Sequence, residues 1–189
     1  EEKISKTSRE LKESYLYDSS TNIGNRSKLL MDIIDYRHPI ILIITLKDFH
    51  WIYEYFGYEK GQRVLLDFYD NMIDVVPDTA TIYHTSEYTF SILDEVSNNN
   101  IQHMVTVFDN IERKIINSNI KIDEDNFEIL PNIIGAISND LNHTLSKASM
   151  LLYESVSSNN RLTVDDDMNV DNINHKREML DLLSSAFKN

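Results

Sequence analysis

The feature that most constrains the fold is an apolar run at residues 40–46, which reads Ile-Ile-Leu-Ile-Ile-Thr-Leu. β-Branched side chains favour strands, and a strand without polar alternation is covered on both of its faces. Pro39 stands directly before the run and ends the preceding segment. We therefore predict a strand in the middle of a sheet, with other elements packed above and below it.

Helical and strand patterns alternate around this central run. Helices are predicted over residues 1–17, 26–36, 48–74 with a break near Gly57, 101–117, 141–157 and 173–187, and further strands over 79–84, 89–93, 127–137 and 161–164. The side chains predicted to face inward include Leu29, Leu30, Ile33 and Ile34, then Val64, Leu65, Phe68, Met72 and Ile73. The order predicts an α/β (α+β) fold with helices packed on a central sheet that contains antiparallel pairs.

Charge and composition exclude several classes of function. The 189 residues include 18 basic and 31 acidic side chains, a formal net charge of −13. Such a surface repels phosphate backbones, so we expect no nucleic-acid partner. The absence of cysteine excludes disulfides and thiol catalysis and fits a cytoplasmic location. Since no apolar run approaches the roughly 20 residues that cross a bilayer, we expect neither membrane contact nor a signal peptide.

Several short motifs follow one another along the chain. Residues 18–26 read Asp-Ser-Ser-Thr-Asn-Ile-Gly-Asn-Arg, residues 86–90 Ser-Glu-Tyr-Thr-Phe, residues 132–136 Asn-Ile-Ile-Gly-Ala and residues 147–153 Lys-Ala-Ser-Met-Leu-Leu-Tyr. In this order they resemble a degenerate GGDEF domain, the fold of diguanylate cyclases. The family opens with Asp-x-Leu-Thr-Gly-Leu-x-Asn-Arg, which Asp18, Thr21, Asn25 and Arg26 match. The resemblance implies a GGDEF or nucleotidyl-cyclase-like fold, with a central mixed, mostly antiparallel sheet of about five strands surrounded by helices.

The signature hairpin of the family corresponds to Ser86, Glu87, Tyr88, Thr89 and Phe90. Active members use divalent metals, held by carboxylates, to join two GTP molecules into cyclic di-GMP. The resemblance places the metal carboxylates at Thr45 and Tyr88, and a further carboxylate at Thr89. Mg²⁺ prefers charged oxygen ligands, whereas threonine brings no charge and tyrosine stays protonated at neutral pH. We expect no metal and no catalytic residue here.

The nucleotide-binding positions of the family have changed as well. Its guanine contacts correspond to Tyr53 and Gln62, its phosphate-binding lysine corresponds to Val156, and its neighbouring arginine is represented by Arg161, displaced by a residue. Phe49 matches a hydrophobic position in the family motif that follows the central strand. We therefore expect no cofactor, and Mg²⁺ and GTP only if the chain is a cyclase with atypical ligands.

Two further features near the signature need an interpretation. Trp51, Tyr53, Tyr55 and Phe56 are aromatic where relatives bind a nucleotide; we interpret them as filling the vacated pocket, the alternative being a partner-binding patch. Glu87 lies one residue before the metal position at Tyr88. Because a one-residue shift along a strand turns a side chain to the opposite face of the sheet, Glu87 could replace the lost carboxylate only if the register of the hairpin were shifted.

The resemblance also implies a domain organisation. Residues 1–17 would be a linker helix from a sensor domain, 18–167 the degenerate GGDEF domain, and 168–189 a linker helix toward an EAL-type phosphodiesterase domain. We expect a non-catalytic regulatory domain of a bacterial cyclic di-GMP signalling protein that forms a homodimer. The alternatives are an atypical diguanylate cyclase and a domain that senses GTP without turnover.

Overall fold

The structure is a computed structural model and describes residues 14–95, 101–117, 120–121, 128–129, 132–140 and 143–165. The helices are α1 (Arg26–Asp32), α2 (His50–Phe56), α3 (Tyr58–Ile73), α4 (Ile101–Asn117) and α5 (Thr144–Ser158), with a 3₁₀ turn at Ile33–Asp35. The strands are β1 (Pro39–Lys47), β2 (Thr81–Ser86), β3 (Thr89–Glu95), β4 (Ile120–Lys121), β5 (Glu128–Ile129), β6 (Asn132–Ser138) and β7 (Leu162–Val164). Residues 14–16 are helical; the rest of the predicted first helix and the predicted helix 173–187 lie outside the described residues.

The main sheet has five strands in the order β2-β3-β1-β6-β7. β1 is antiparallel to both β3 and β6, and only the β6–β7 pair is parallel. The apolar run is therefore the central strand, and Ile40, Leu42 and Ile44 have no exposed surface. This confirms the predicted mixed, mostly antiparallel sheet.

Each face of the sheet carries its own hydrophobic cluster. Ile40, Leu42 and Ile44 point into the larger cluster, which α2, α3 and α4 cover. Ile41 and Ile43 point the other way, into a smaller cluster formed with α1 and α5. Alternate residues of β1 thus bury themselves in two different cores, which explains why the strand has no polar face.

Three predicted inward side chains lie at the surface instead. The predicted helix 26–36 ends at Asp32 and tightens into the 3₁₀ turn, and this change of period rotates the later residues outward. Ile34, in the 3₁₀ turn, is 79% exposed; Leu30 is 47% exposed although it lies within α1, before the change of period. Ile73, the last residue of α3, is 50% exposed. A short or ending helix does not bury a full apolar face.

The predicted strand 127–137 is two strands in two sheets. Glu128–Ile129 pairs with β4, whereas Asn132–Ser138 joins the main sheet beside β1. Pro131 stands between them in the sequence, and proline cannot donate a ladder hydrogen bond. Of the predicted helix 141–157, the described part begins at Thr144. Among the described residues, no helix is long and apolar enough to cross a membrane.

Candidate functional site

A pocket of about 590 Å³ lies beside the hairpin that joins β2 to β3. Three parts of the chain form it: the turn at residues 18–25 with the start of α1, the hairpin, and helices α2 and α3. Its lining includes Asp18 and Arg26 from the first, His84, Glu87 and Tyr88 from the second, and Tyr53, Tyr58 and Gln62 from the third.

The hairpin turn is built on an irregular pair of strands. His84 pairs with Phe90 and Ser86 with Thr89, so that the register shifts between His84 and Ser86. Glu87 and Tyr88 are left as the two residues of the turn, and both line the pocket. Neither residue is paired in the β2–β3 ladder, so strand alternation does not set the direction of Glu87, and Glu87 lines the pocket in this register.

Neutral hydroxyl groups occupy the two positions that correspond to the metal carboxylates, Thr45 and Tyr88, and the further carboxylate position at Thr89. Thr45 and Thr89 are direct partners across β1 and β3. The Thr89 hydroxyl donates to Thr45 Oγ1 at 3.2 Å, and the Thr45 hydroxyl donates to the backbone oxygen of Tyr88 at 3.4 Å. Across the described ranges, no group of three or more His, Asp or Glu side chains could hold a metal ion.

The two positions that correspond to guanine contacts bind each other. Gln62 Nε2 donates to the Tyr53 hydroxyl at 2.8 Å, while Gln62 Oε1 is buried without a hydrogen-bond partner. Burial, with the neighbouring Tyr58 and Tyr88, raises the pKa of Tyr53 to about 12. The phenol therefore stays neutral at physiological pH.

Tyr53 is held in place by rings on one side and by a glycine on the other. It stacks on Tyr58 at 5.6 Å between ring centroids and lies 5.7 Å from Tyr88. Phe49, which is 2% exposed, meets it edge-on. A Cβ at Gly61 would stand 2.4 Å from the Tyr53 ring, so only glycine fits beneath it. We call Tyr53, Tyr58, Gln62 and Tyr88 the aromatic wall.

The predicted aromatic cluster is only partly correct. Of its four members, Tyr53 alone lines the pocket. Trp51 contacts Tyr55 and Phe56 in a separate group, and Tyr55 is 80% exposed. Residues two apart on a helix point in different directions, so Trp51 and Tyr55 cannot share the orientation of Tyr53. Tyr58, which the sequence interpretation missed, and Tyr88, which it had assigned to the signature hairpin, complete the wall instead.

The opposite side of the pocket carries the Asp18 carboxylate, and we call Asp18 and its neighbour His84 the charged wall. Asp18 Oδ1 accepts hydrogen bonds from the backbone N–H and the hydroxyl of both Ser20 and Thr21. Partial burial acts to raise the pKa of Asp18, but these hydrogen bonds and the nearby His84 outweigh it and lower the pKa to about 2. His84, only 7% exposed, lies flat on Phe90 at 4.8 Å. The carboxylate is thus ionised wherever the protein is folded near neutral pH.

Two positions assigned to phosphate binding lie away from this pocket. Val156 is on α5 and is 43% exposed. Arg161 bonds to Asp109 at 2.8 Å and Glu112 at 3.1 Å, with its guanidinium over the Phe108 ring. Arg161 therefore ties the start of β7 to α4. Neither side chain lines the pocket that contains Tyr53 and Tyr88.

Comparison with known proteins gives a match in structure but none in sequence. No protein-family model and no curated protein matches the sequence. The coiled coil and GGDEF domain of DgcB from Caulobacter crescentus, in complex with c-di-GMP, superposes with a TM-score of 0.69 at 16% identity over 87% of this chain and 93% of that one. The diguanylate cyclase SiaD from Pseudomonas aeruginosa, solved with its activator SiaC, gives 0.68 at 14% identity over 87% and 67%.

A third similar structure carries an additional domain. LapD from Vibrio cholerae, comprising S helix, GGDEF and EAL parts and bound to c-di-GMP, gives a TM-score of 0.65 at 17% identity, with 90% of this chain and 41% of that one covered. At these identities the likeness concerns the fold. The chain has the GGDEF, cyclase-like fold.

Proposed function

We propose that this chain is a non-catalytic GGDEF-like regulatory domain of a bacterial cyclic di-GMP signalling protein. In this role it transmits a signal to a neighbouring domain, such as an EAL phosphodiesterase, or it mediates dimerisation. The observation that carries the proposal is the neutral, self-bonded state of the side chains at the metal and base positions.

The metal positions support a non-catalytic role through their charge. Joining two GTP molecules brings several negative charges together, and divalent metals held by carboxylates neutralise them. Thr45 and Thr89 offer hydroxyls that already bond to each other and to the hairpin backbone. Glu87 is a single carboxylate on an exposed turn, and one carboxylate is a weak Mg²⁺ site.

The base position supports the same conclusion through its shape. The Tyr53 ring occupies the space above Gly61, and the Tyr53 hydroxyl takes the amide hydrogen of Gln62. A guanine edge would have to displace a ring held by Phe49, Tyr58 and Tyr88. Loss of the metal and base groups together favours a domain that is retained for its contacts with other domains.

The neighbouring-domain part of the proposal rests on similarity. LapD carries an EAL part in the same chain as its GGDEF part, and residues 176–183 of this chain resemble the helix that joins two such domains. A homodimer is proposed because the resemblance implies that GGDEF domains act in facing pairs. Sedimentation equilibrium of the purified chain tests it, and a monomer at all concentrations would contradict it.

The decisive experiment is a product assay. The chain is incubated with GTP and either Mg²⁺ or Mn²⁺, and cyclic di-GMP is measured by chromatography. We expect no product above a protein-free control. Glu87→Gln is the matched variant, because it keeps the size of the side chain and removes its charge. Product formation that Glu87→Gln abolishes would show an active cyclase with an atypical ligand.

GTP sensing without turnover is a second candidate, because a pocket of about 590 Å³ remains. A ligand that binds only the folded state raises the free energy of unfolding by RT ln(1 + L/Kd), where L is the free ligand concentration, so the unfolding temperature rises with ligand concentration. We expect no shift with 1 mM GTP, on the order of a physiological substrate concentration. An unfolding temperature that rises with GTP concentration, without product, would replace the first proposal by this one.

A further inference from the structure

A second cavity, of about 500 Å³, lies between α1, the 3₁₀ turn and the start of α5, on the face of the sheet opposite to α3. We call it the apolar groove. Its hydrophobic lining consists of Leu30, Ile33, Ile34, Tyr36, Pro39 and Leu145. Leu30 is 47% exposed, so the described part of the chain leaves this surface largely uncovered. An uncovered apolar cluster of this kind marks a surface that binds another element.

The apolar groove is lined by positive charge on a chain whose net charge is −13. Arg26 at the start of α1 and Arg37 after the 3₁₀ turn both line it, and none of the described lining residues is acidic. Opposite charges across a contact select the partner and its orientation. The groove therefore suits an occupant that combines apolar side chains with acidic ones.

The described chain ends beside this groove, at Asp165 after β7. The Asp165 carboxylate accepts a hydrogen bond from the Ser138 hydroxyl at 2.9 Å and lies 3.5 Å from Lys147 Nζ. Lys147 is in the first turn of α5 and follows Ser146, which lines the groove. The chain therefore leaves β7 next to the α5 side of the groove.

The sequence beyond Asp165 has the composition that the groove requires. Residues 166–172 include three aspartates, and they span up to about 23 Å when extended, far enough to reach any part of the groove. At helical spacing, the apolar side chains of the following segment form one stripe: Ile173, Met179, Leu180, Leu182, Leu183, Ala186 and Phe187. Residues 1–13 fit less well, because Ile4 and Leu11 are their only apolar side chains.

We propose that residues 173–187 dock as a helix in the apolar groove of the same chain, with their apolar stripe on Leu30. The aspartates of residues 166–172 then approach a surface lined by arginine. The segment that leads toward a neighbouring domain in the proposed function is held against α1 in this way. Arg26, the first residue of α1, also lines the pocket beside the hairpin, so the docked segment contacts an element that helps to form that pocket.

Because the chain contains no cysteine, cross-linking of introduced thiols in the full chain tests the docking directly. Leu30→Cys is combined with Leu183→Cys, and the intramolecular product of a short bis-maleimide is measured by intact mass. The matched control combines Leu183→Cys with Ile73→Cys, since Ile73 is 50% exposed but ends α3 on the opposite face of the sheet. We expect the Leu30 pair to react at least about tenfold faster, because docking raises the local concentration of the two thiols.

Alkylation of a single introduced thiol gives a second measurement. Adding Leu183→Asp to Leu30→Cys should raise the rate of reaction with iodoacetamide about threefold or more, because a charge within the stripe opposes burial in the groove. Adding Ser184→Asp instead, on the polar side of the segment, should leave the rate unchanged. The thiol of Ile73→Cys should react at the same rate in both backgrounds.

Equal cross-linking of the two cysteine pairs would overturn the proposal, as would an alkylation rate that Leu183→Asp does not change. Covalent dimers whose yield rises with protein concentration would also overturn it, since they would place a second copy of the chain in the groove. If a double-cysteine variant fails to fold, the alkylation of Leu30→Cys still decides.

The docking does not depend on the proposed regulatory role. GTP turnover would overturn that role and leave the docking intact, while equal cross-linking would do the reverse.

Discussion

The two walls of the pocket differ in how their polar groups are satisfied. On the aromatic wall, Tyr53 and Gln62 bond to each other and rings supply most of the contact. On the charged wall, Asp18 gathers hydrogen bonds from its own turn and faces His84, 66 residues away in the sequence. Charge therefore lies where the pocket joins two parts of the chain, whereas the aromatic wall offers neutral groups.

The largest expected effect comes from the residue behind the charged wall. Phe90 is fully buried, stacks on His84 and contacts Phe68. Phe90→Ala should lower the free energy of unfolding by about 3–5 kcal/mol, because it leaves a cavity in the core. Urea unfolding followed by circular dichroism measures the loss. The exposed Ile34, changed to Ala, is the control and should cost less than about 0.5 kcal/mol.

A smaller effect is expected on the aromatic wall. Gly61→Ala should lower the free energy of unfolding by about 1–3 kcal/mol, since the new methyl group would overlap the Tyr53 ring. The loss should shrink when Tyr53→Ala is combined with it, because the clash is then gone. A double-mutant cycle measures this coupling. Additive effects would mean that the two residues do not touch.

The charged wall should respond to pH where the aromatic wall does not. Asp18→Ala should cost about 1 kcal/mol at pH 7, a figure reduced because the side chain is about a third exposed. The pKa of Asp18 is lowered in the folded state from 3.8 to about 2. Its stabilising contribution is therefore complete above pH 3.8 and is lost as the pH falls through about 2.

Unfolding curves recorded from pH 7 to pH 2 check this prediction. The difference in the free energy of unfolding between wild type and Asp18→Ala should become smaller at acid pH. The surface control Asp35→Ala should differ little from wild type at every pH. A difference that stays constant down to pH 2 would contradict the role given to the carboxylate.

The smallest change is expected at Gln62. Gln62→Met removes a hydrogen bond to Tyr53 but also removes a buried oxygen that has no partner, so the two effects should cancel to within about 0.5 kcal/mol. Tyr53→Phe breaks the same bond from the other side and leaves the whole amide unpaired. It should therefore be the more destabilising of the pair by thermal unfolding. The reverse order would mean that the amide is better satisfied than its geometry indicates.

The sequence predicted the strands and helices of the molecule better than its pocket. The run at residues 40–46 identified the central strand because burial on both faces leaves a continuous apolar pattern. Helix 101–117 was predicted with the bounds of α4 because its apolar period is regular over its whole length. The spacing of apolar residues indicates which faces of a segment are buried. In these two segments the pattern of burial is the same along the whole length.

The pocket depends on contacts that no local pattern contains. Asp18 and His84 meet only because the 18–25 turn packs against an edge strand. Tyr58 stacks on Tyr53 because Gly57, with φ of 83°, separates α2 from α3 and turns the chain back. The positive φ is a conformation that glycine adopts readily. A sequence reader could have used Gly57 to bring Tyr58 toward Tyr53. Tyr88 was assigned to the site through the resemblance of the hairpin to the family signature, and no local pattern indicates its contact with Tyr53.

The burial of β1 on both faces also has a consequence for how the chain must be handled. Residues 40–46 carry no charge and no proline, and short segments of this kind assemble into amyloid-like stacks when they are exposed. In the folded chain β3 and β6 occupy both of its hydrogen-bonding edges. Any truncation that removes β3 or β6 would open one of those edges, and we expect such fragments to aggregate rather than to remain as smaller soluble domains.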